Sequence, residues 1–444
     1  MPRSDTIAAI STPAGVGGIA VVRLSGPDAL PIALRHLSHS LEPRRATHCR
    51  FDDLDDVVAV YMPAGYTGEP TVEIACHGSL YVQQALLDTL VGDTARLAEA
   101  GEFTMRAFLN GRLDLSQAEA VADLIDAATP QQHRLATSQL RGGYAQKLKD
   151  LRQQMLDLTS LLELELDFSQ EDVEFADRSR LRSLVEVLRQ EAGRLVSSFH
   201  LGNALKQGVP VAIIGAPNAG KSSLLNVLVA DDRAIVSPIP GTTRDTIEET
   251  LTMGGITFRF VDTAGLRHSD DPIEQLGIQR SRKAIEAAEI VLCVCDINAP
   301  ADDDIEALLE ECRQRDKSAL LVCNKADLCD NPLYGNIGKD SGCYRVSALT
   351  GQGVEDLKQG LVNLVKNERE HYGDILLTNL RHYEALRQVC KALDETTQGL
   401  DDGMPADLLA VDLRDALHHL GTITGEVTTD EILGNIFKRF CIGK

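Results

Sequence analysis

The stretch that most constrains the fold is an apolar run, VAIIG, that meets the turn sequence GAPNAGKS at Gly215–Ser222 and passes into the helical pattern SSLLNVLV. A buried strand that breaks at glycine and restarts as a helix points successive backbone N–H groups, and the helix N-terminus, at one spot. Such a spot suits phosphate: Gly215 and Gly220 permit the required backbone, Lys221 reaches the β and γ phosphates, and Ser222 can ligate magnesium. Asn218, Ala219 and Ser223 complete the loop. From Val209 to about Val365 further apolar runs, ITFRFVD, EIVLCVCD and ALLVCN, alternate with amphipathic helical segments. That rhythm predicts βαβ units and a mainly parallel sheet covered on both faces.

Each of the other strand ends carries a polar motif. Asp262, Thr263, Ala264 and Gly265 follow ITFRFV, placing a carboxylate beside the magnesium and an amide where a γ-phosphate sits. GTTRD lies upstream, with Thr243 as the second magnesium ligand from a switch loop. Asn324, Lys325, Ala326 and Asp327 follow ALLVC. An aspartate can accept from the N1–H and N2–H2 edge of guanine, whereas adenine offers no such donor pair, so the base is predicted to be guanine. Ser347, Ala348 and Leu349, after CYRV, would close over it. In this order the motifs resemble the Era-like group of TRAFAC GTPases, over Val209 to about Val365. Leu266 stands where Ras-like switches place a water-orienting glutamine. Asp270, Asp271 and Glu274 are the nearby acids, and each also suits the first turn of a helix from Ile273.

The 444 residues exceed one domain, and about three are expected. Residues 1–115 mix strand runs (Ile19 to Leu24, Val57 to Tyr61, Val72 to Ala75) with a helix over Leu80 to Leu90, which predicts an α+β domain. Residues 116–206 turn helical, and Leu148, Leu151, Met155, Leu158 and Leu162 make one apolar seam. Residues 369–444 are helical again. The α/β block, 207–368, therefore reads as an insertion into an all-α domain. A formal net charge of −22 argues against broad adhesion to nucleic acid or anionic lipid. Scattered cysteines without a CxxC pair suit a reducing compartment. No apolar stretch approaches the ~20 residues of a membrane span, and the N-terminus lacks a secretory pattern, so a cytoplasmic location is expected.

Three further stretches, DTIAAISTPAGVGGIAVVRLSG, RAFLNGRLDLSQAEAVADLIDA and the terminal FCIGK, resemble the tRNA modification GTPase family known as MnmE or TrmE. That resemblance implies a homodimer joined through the N-terminal domain, working on tRNA with the FAD-containing protein MnmG as a heterotetramer. The implied reaction adds aminomethyl or carboxymethylaminomethyl groups at C5 of the wobble uridine. An Era-like GTP switch acting in ribosome or RNA assembly is the alternative. The resemblance also implies a site for a 5-formyl- or 5,10-methylene-tetrahydrofolate at Arg23, Glu73, Arg112 and Lys444. Arg112 stands where members often carry lysine, which keeps the cation and changes the donor geometry.

By the same resemblance Asn218, the carbonyls of Ser237 and Ile239, and Thr242 would cage a potassium ion within SPIPGTT, which spans Ser237 to Thr243 and includes Pro238, Pro240 and Gly241. Glu274 would orient the attacking water, and Arg244 and Asp245 would help two GTPase domains pair. Cys441 would serve the modification chemistry. Lys438, Arg439 and Lys444 surround it, and positive charge lowers a thiol pKa. His77, in CHG, lacks paired ligands at metal spacing and reads as a structural histidine near a turn.

Overall fold

The computed structural model describes residues 5–168, 178–230, 249–261, 283–299, 303–315, 317–328, 343–373, 375–438, 440 and 442–443. The chain divides into two compact units. One comprises Met1–Asp126, Gln139–Gln153 and Leu417–Lys444, and the other Ala127–Ser138 with Gln154–Ala416.

In the first unit the strands β1 (Ile7–Ile10), β2 (Ile19–Ser25), β3 (Ala46–Phe51), β4 (Asp55–Met62), β5 (Thr71–His77) and β6 (Arg96–Leu97) form one sheet in the order β3-β4-β5-β2-β1-β6. Pairing is antiparallel except between β1 and β6. Burial alternates along IAVVRLS, because successive residues of a strand face opposite sides of the sheet. Val22 and Leu24 bury with Ile74, Val57 and Phe51, packing with residues of the helices Ala29–His36 and Leu80–Gly92. Arg23 and Glu73 therefore stand on the opposite face, directly paired in register. The expected strand runs and the helix from Leu80 are all present, each extended by a residue or more.

The C-terminal end folds back into this unit. Leu433, Phe437 and Phe440 bury with Leu115 and Ala118. Beyond them Ile442 bridges to Ala100, and the Ser11 hydroxyl donates to the Gly443 carbonyl at 3.1 Å.

In the second unit β7 (Val209–Gly215), β8 (Glu249–Met253), β9 (Ile256–Phe260), β10 (Ile290–Asp296), β11 (Ser318–Asn324) and β12 (Cys343–Arg345) lie in the order β12-β11-β10-β7-β9-β8. Only β8 runs antiparallel to its neighbour. β7 and β10 are buried nearly end to end, because helices cover both faces and leave no solvent side for alternation. Val211, Leu224, Leu292 and Val322 belong to the core on one face, and Ala212, Ile285, Val291 and Cys293 to that on the other. The helices Arg178–Ser197 and Leu380–Asp401 carry ion pairs between Arg189 and Asp394 at 2.7 Å and between Arg182 and Asp401 at 2.5 Å. The predicted seam lies on the helix Gly143–Phe168, with each of its five residues no more than 2% exposed.

Candidate functional site

The strand ends of the parallel sheet bring together those motif residues that are described, from the loops after β7, β11 and β12. β7 ends at Gly215, where φ is +144° and an added Cβ would stand 2.0 Å from the Val294 carbonyl oxygen, so β10 leaves no room for a side chain. The loop turns through Asn218 at φ 61° and Gly220 at φ 89° before the helix Lys221–Ala230 begins. These left-handed positions expose consecutive N–H groups at the start of a helix, an anion-binding arrangement. The Lys221 ammonium donates to the carbonyls of Gly215 at 2.8 Å and Ala216 at 2.7 Å, which arches the side chain over the loop. Burial draws its pKa below the ordinary value. A phosphate group there would restore the balance, since an adjacent negative charge favours the ammonium.

Asn324 joins this loop to the turn that holds Ala348. Its side chain is buried, its Nδ2 donates to the Ala219 carbonyl at 2.8 Å, and its Oδ1 accepts from the Ala348 N–H at 3.0 Å. One carboxamide thus fixes the spacing between three loops, and both of its functional ends are used. An added Cβ on Gly220 would fall 2.2 Å from Asn324 Nδ2, so the second glycine makes space for this strut as well as supplying a turn. The next residue, Lys325, takes φ 62° and its ammonium meets Asp296 Oδ2 at 2.8 Å. The lysine hydrogen bond, helped by Asn298, outweighs burial and holds the Asp296 carboxyl below its ordinary range.

The Ser347 hydroxyl donates to Asp327 Oδ1 at 2.5 Å and accepts from the Thr350 N–H at 3.1 Å. The hydroxyl orients the carboxylate, whose oxygens have lone pairs enough to accept two further donors from a guanine edge. Leu349 is 85% exposed beside them. Ser222 and Ser223 open the helix that follows the loop. Ser237, Pro238, Ile239, Pro240, Gly241, Thr242, Thr243, Arg244, Asp245, Asp262, Thr263, Ala264, Gly265 and Glu274 lie outside the described residues.

A second constellation occupies the face of the N-terminal sheet opposite its main core, beside a smaller cluster of Ile7, Ala9, Ala98 and Phe103. Arg23 Nε donates to Glu73 Oε1 at 2.9 Å, and its guanidinium lies 5.7 Å from the Tyr66 ring centroid and 5.6 Å from that of Phe103. Both charged side chains are partly open, at 18% and 33% exposure, so a polar ligand edge can reach them. Arg112 is exposed, with its stem against Gly68. Cys441 and Lys444 lie outside the described residues, although Ile442 and Gly443 are placed against Ala100 and Ser11.

The family description "GTP-binding protein TrmE N-terminus" matches residues 6–112, and "MnmE helical domain" matches residues 115–441. A Cytophaga hutchinsonii protein named tRNA modification GTPase MnmE is 46% identical over 99% of this chain and 98% of its own length. The chain belongs to the MnmE family. A Parabacteroides distasonis protein of the same name is likewise 46% identical, over 99% of this chain and all of its own. A third, from Christiangramia forsetii, is 43% identical over the whole length of both.

Within this MnmE-type chain two groups of polar residues escape sequence reasoning. Asp296 is one: it ends β10 in register with Asn324, and that register was its available signal. The other is a buried ionic network. Arg106 Nη2 reaches Asp5 Oδ1 at 2.6 Å and Glu102 Oε1 at 3.0 Å, while Arg96 Nη2 reaches Glu102 Oε1 at 2.6 Å. Burial opposes the Glu102 charge, but Arg96, the Glu99 N–H and Arg106 outweigh it and hold the carboxyl below its ordinary value. Its signal was the four-residue spacing of Glu102 and Arg106 in GEFTMRAFL. His77 shows a structural role: Asp55 accepts from both its N–H at 2.8 Å and its ring Nδ1 at 2.7 Å.

Among the described residues no helix is long and apolar enough to cross a membrane.

Proposed function

We propose that this protein hydrolyses GTP in its inserted α/β segment, residues 207–368, and uses that cycle to drive modification of the wobble uridine of certain tRNAs at C5. The observation that carries the nucleotide half is the Asn324 strut, which holds a phosphate-binding loop and a guanine-reading carboxylate at fixed separation. The tRNA half rests on relatives that share 46% identity over nearly the whole chain and carry the name tRNA modification GTPase.

Lys221 and the loop N–H groups bind the β and γ phosphates, while Asp327 selects guanine over adenine. Ser222, at the start of the helix, offers the hydroxyl oxygen that magnesium prefers, with Thr243 as its companion. Asn218, exposed in a left-handed turn, offers a neutral amide oxygen suited to potassium. Ser237, Ile239 and Thr242 would supply the rest of that set. Bound there, the two cations supply positive charge against the charge that develops on the transferred phosphoryl group. Glu274 orients the attacking water where Leu266 cannot, and Arg244 and Asp245 pair the GTPase segments of a homodimer.

Arg23 and Glu73, flanked by Tyr66 and Phe103, present a charged pair beside aromatic faces. That chemistry fits the heteroaromatic ring of a tetrahydrofolate, with Arg112 and Lys444 as contacts. Cys441 serves the uridine chemistry, carried out in the cytoplasm with the flavoprotein MnmG. Mass analysis of wobble uridines in cells lacking the chain tests this reading. Unmodified uridine is expected, restored by the wild type and not by Lys221→Ala; fully modified uridine in the deleted strain overturns it. GTP hydrolysis that proceeds equally in potassium and sodium overturns the potassium assignment.

A further inference from the structure

Three sulfurs form a row across adjacent strands of the parallel sheet, from Cys295 and Cys323 near the carboxyl ends of β10 and β11 to Cys343 at the start of β12. Cys295 Sγ lies 3.5 Å from Cys323 Sγ, which lies 3.7 Å from Cys343 Sγ. Cys295 and Cys323 are direct register partners on β10 and β11, and the next pair in register is Asp296 with Asn324. Cys323 and Cys343 are buried, whereas Cys295 is only half-buried and opens the row to solvent. None of these thiols is among the residues proposed above to hold nucleotide. Their backbone is tightly held: the Cys323 carbonyl accepts from the Val346 N–H at 2.9 Å and the Asn324 carbonyl from the Ile297 N–H at 3.0 Å. Any contraction between the sulfurs therefore passes to Asn324 and to Asp296, the partner of Lys325.

We propose that Cys295 and Cys323 are an oxidative modification site, which hydrogen peroxide converts to a disulfide that weakens guanine-nucleotide binding. The effect on binding rests on the assignment of Asn324 to Asp327 as the base-reading loop. In the first step the Cys295 sulfur attacks one peroxide oxygen and the O–O bond breaks. The thiol proton leaves with the departing hydroxide as water, and Cys295 becomes a sulfenic acid. The Cys323 sulfur then attacks the Cys295 sulfur, the S–O bond breaks, and the Cys323 proton leaves with that hydroxide as a second water. Two thiols are oxidised and one peroxide is reduced.

Hydrogen bonds from Cys295 and then Cys343, with Arg345 nearby, outweigh burial and lower the Cys323 pKa, while that same hydrogen bond and burial push the Cys295 thiol up, so access and not acidity makes Cys295 the sulfur that meets peroxide. The attacking thiolate of the second step is thereby favoured. A disulfide needs its sulfurs at about 2 Å, so closure draws the two strand ends together at the root of the Asn324 strut. Cys293 and Cys312, fully buried deeper in the same unit, lack the access that Cys295 has.

The test uses the full-length protein, reduced and then treated with hydrogen peroxide. Peptide mass analysis after alkylation locates any cross-link, and binding of a fluorescent GTP analogue is measured before oxidation, after it, and after dithiothreitol. A Cys295–Cys323 cross-link with roughly tenfold weaker binding, reversed by dithiothreitol and absent in Cys295→Ser, supports the proposal. No cross-link, or one confined to Cys323 and Cys343, overturns it. So does a complete Cys295–Cys323 cross-link with unchanged affinity while Asp327→Asn weakens binding to the reduced protein. Should Asp327→Asn leave binding intact, the loop assignment has failed and the claimed effect on nucleotide falls with it, whereas the cross-link is scored on the peptides alone.

Discussion

In the parallel sheet the polar groups of the proposed nucleotide site stand at or just beyond strand ends, marked by Gly215, Asn324 and Asp296, whereas in the N-terminal sheet Arg23 and Glu73, the proposed folate contacts, sit in the interiors of theirs. The difference follows from burial. A strand covered by helices on both faces has no place for a charged side chain along its length, so polar groups collect where it emerges. A strand with one open face can carry a charge at every second position, and a site is then assembled from residues of neighbouring strands. Arg23 and Glu73 are fifty residues apart in the chain and adjacent in space.

Four perturbations would break or sharpen this contrast. Lys221→Ala removes the cation from the phosphate loop, and GTP hydrolysis is expected to fall by about 10³-fold, measured by phosphate release. Asp327→Asn turns half of the base-reading acceptor into a donor. Affinity for GTP should drop roughly 10²-fold, with xanthosine triphosphate, whose C2 oxygen accepts, now preferred. A competition titration with both nucleotides reads this directly.

Glu102→Gln should leave GTP hydrolysis unchanged and destabilise the N-terminal unit by about 2 kcal/mol, because Arg96 and Arg106 lose the buried charge they share. Urea unfolding followed by a probe in that unit, beside the hydrolysis rate, would show whether the two regions are separable; a matching fall in hydrolysis would show that they are not.

The smallest expected effect is an acid sensitivity. The Glu102 carboxyl sits below its ordinary value of 4.5 in the folded protein, so its contribution is present above that pH and lost as the pH falls through the folded value. The N-terminal unit of the wild type should therefore lose stability in that window more steeply than that of Glu102→Gln, as followed by thermal melts across pH.

The same contrast governs what the sequence discloses. The phosphate loop and the NKAD stretch are contiguous because a strand end and the turn after it are contiguous, and each was legible before any coordinates. The apolar run from Ile19 to Leu24 marked a strand, but its faces came from the structure, since Ile19 to Val22 are apolar without a break. What stayed hidden depends on pairing between distant segments. Nothing in EIVLCVCD alone says that Asp296 meets Lys325, and no local pattern joins Asp5 to Arg106 across a hundred residues. The strut role of Asn324 was hidden for the same reason, since its two partners, Ala219 and Ala348, come from loops on either side of it in sequence. The N-terminal charged pair was named only through family resemblance, and the physical reason for its pairing became visible in the register of β2 and β5.

The docking of Phe437, Phe440, Ile442 and Gly443 onto Gly101, Ala100 and Ser11 makes this last helical segment part of the same cooperative unit as the first sheet, so the two are expected to open together and a cut between them need not part them.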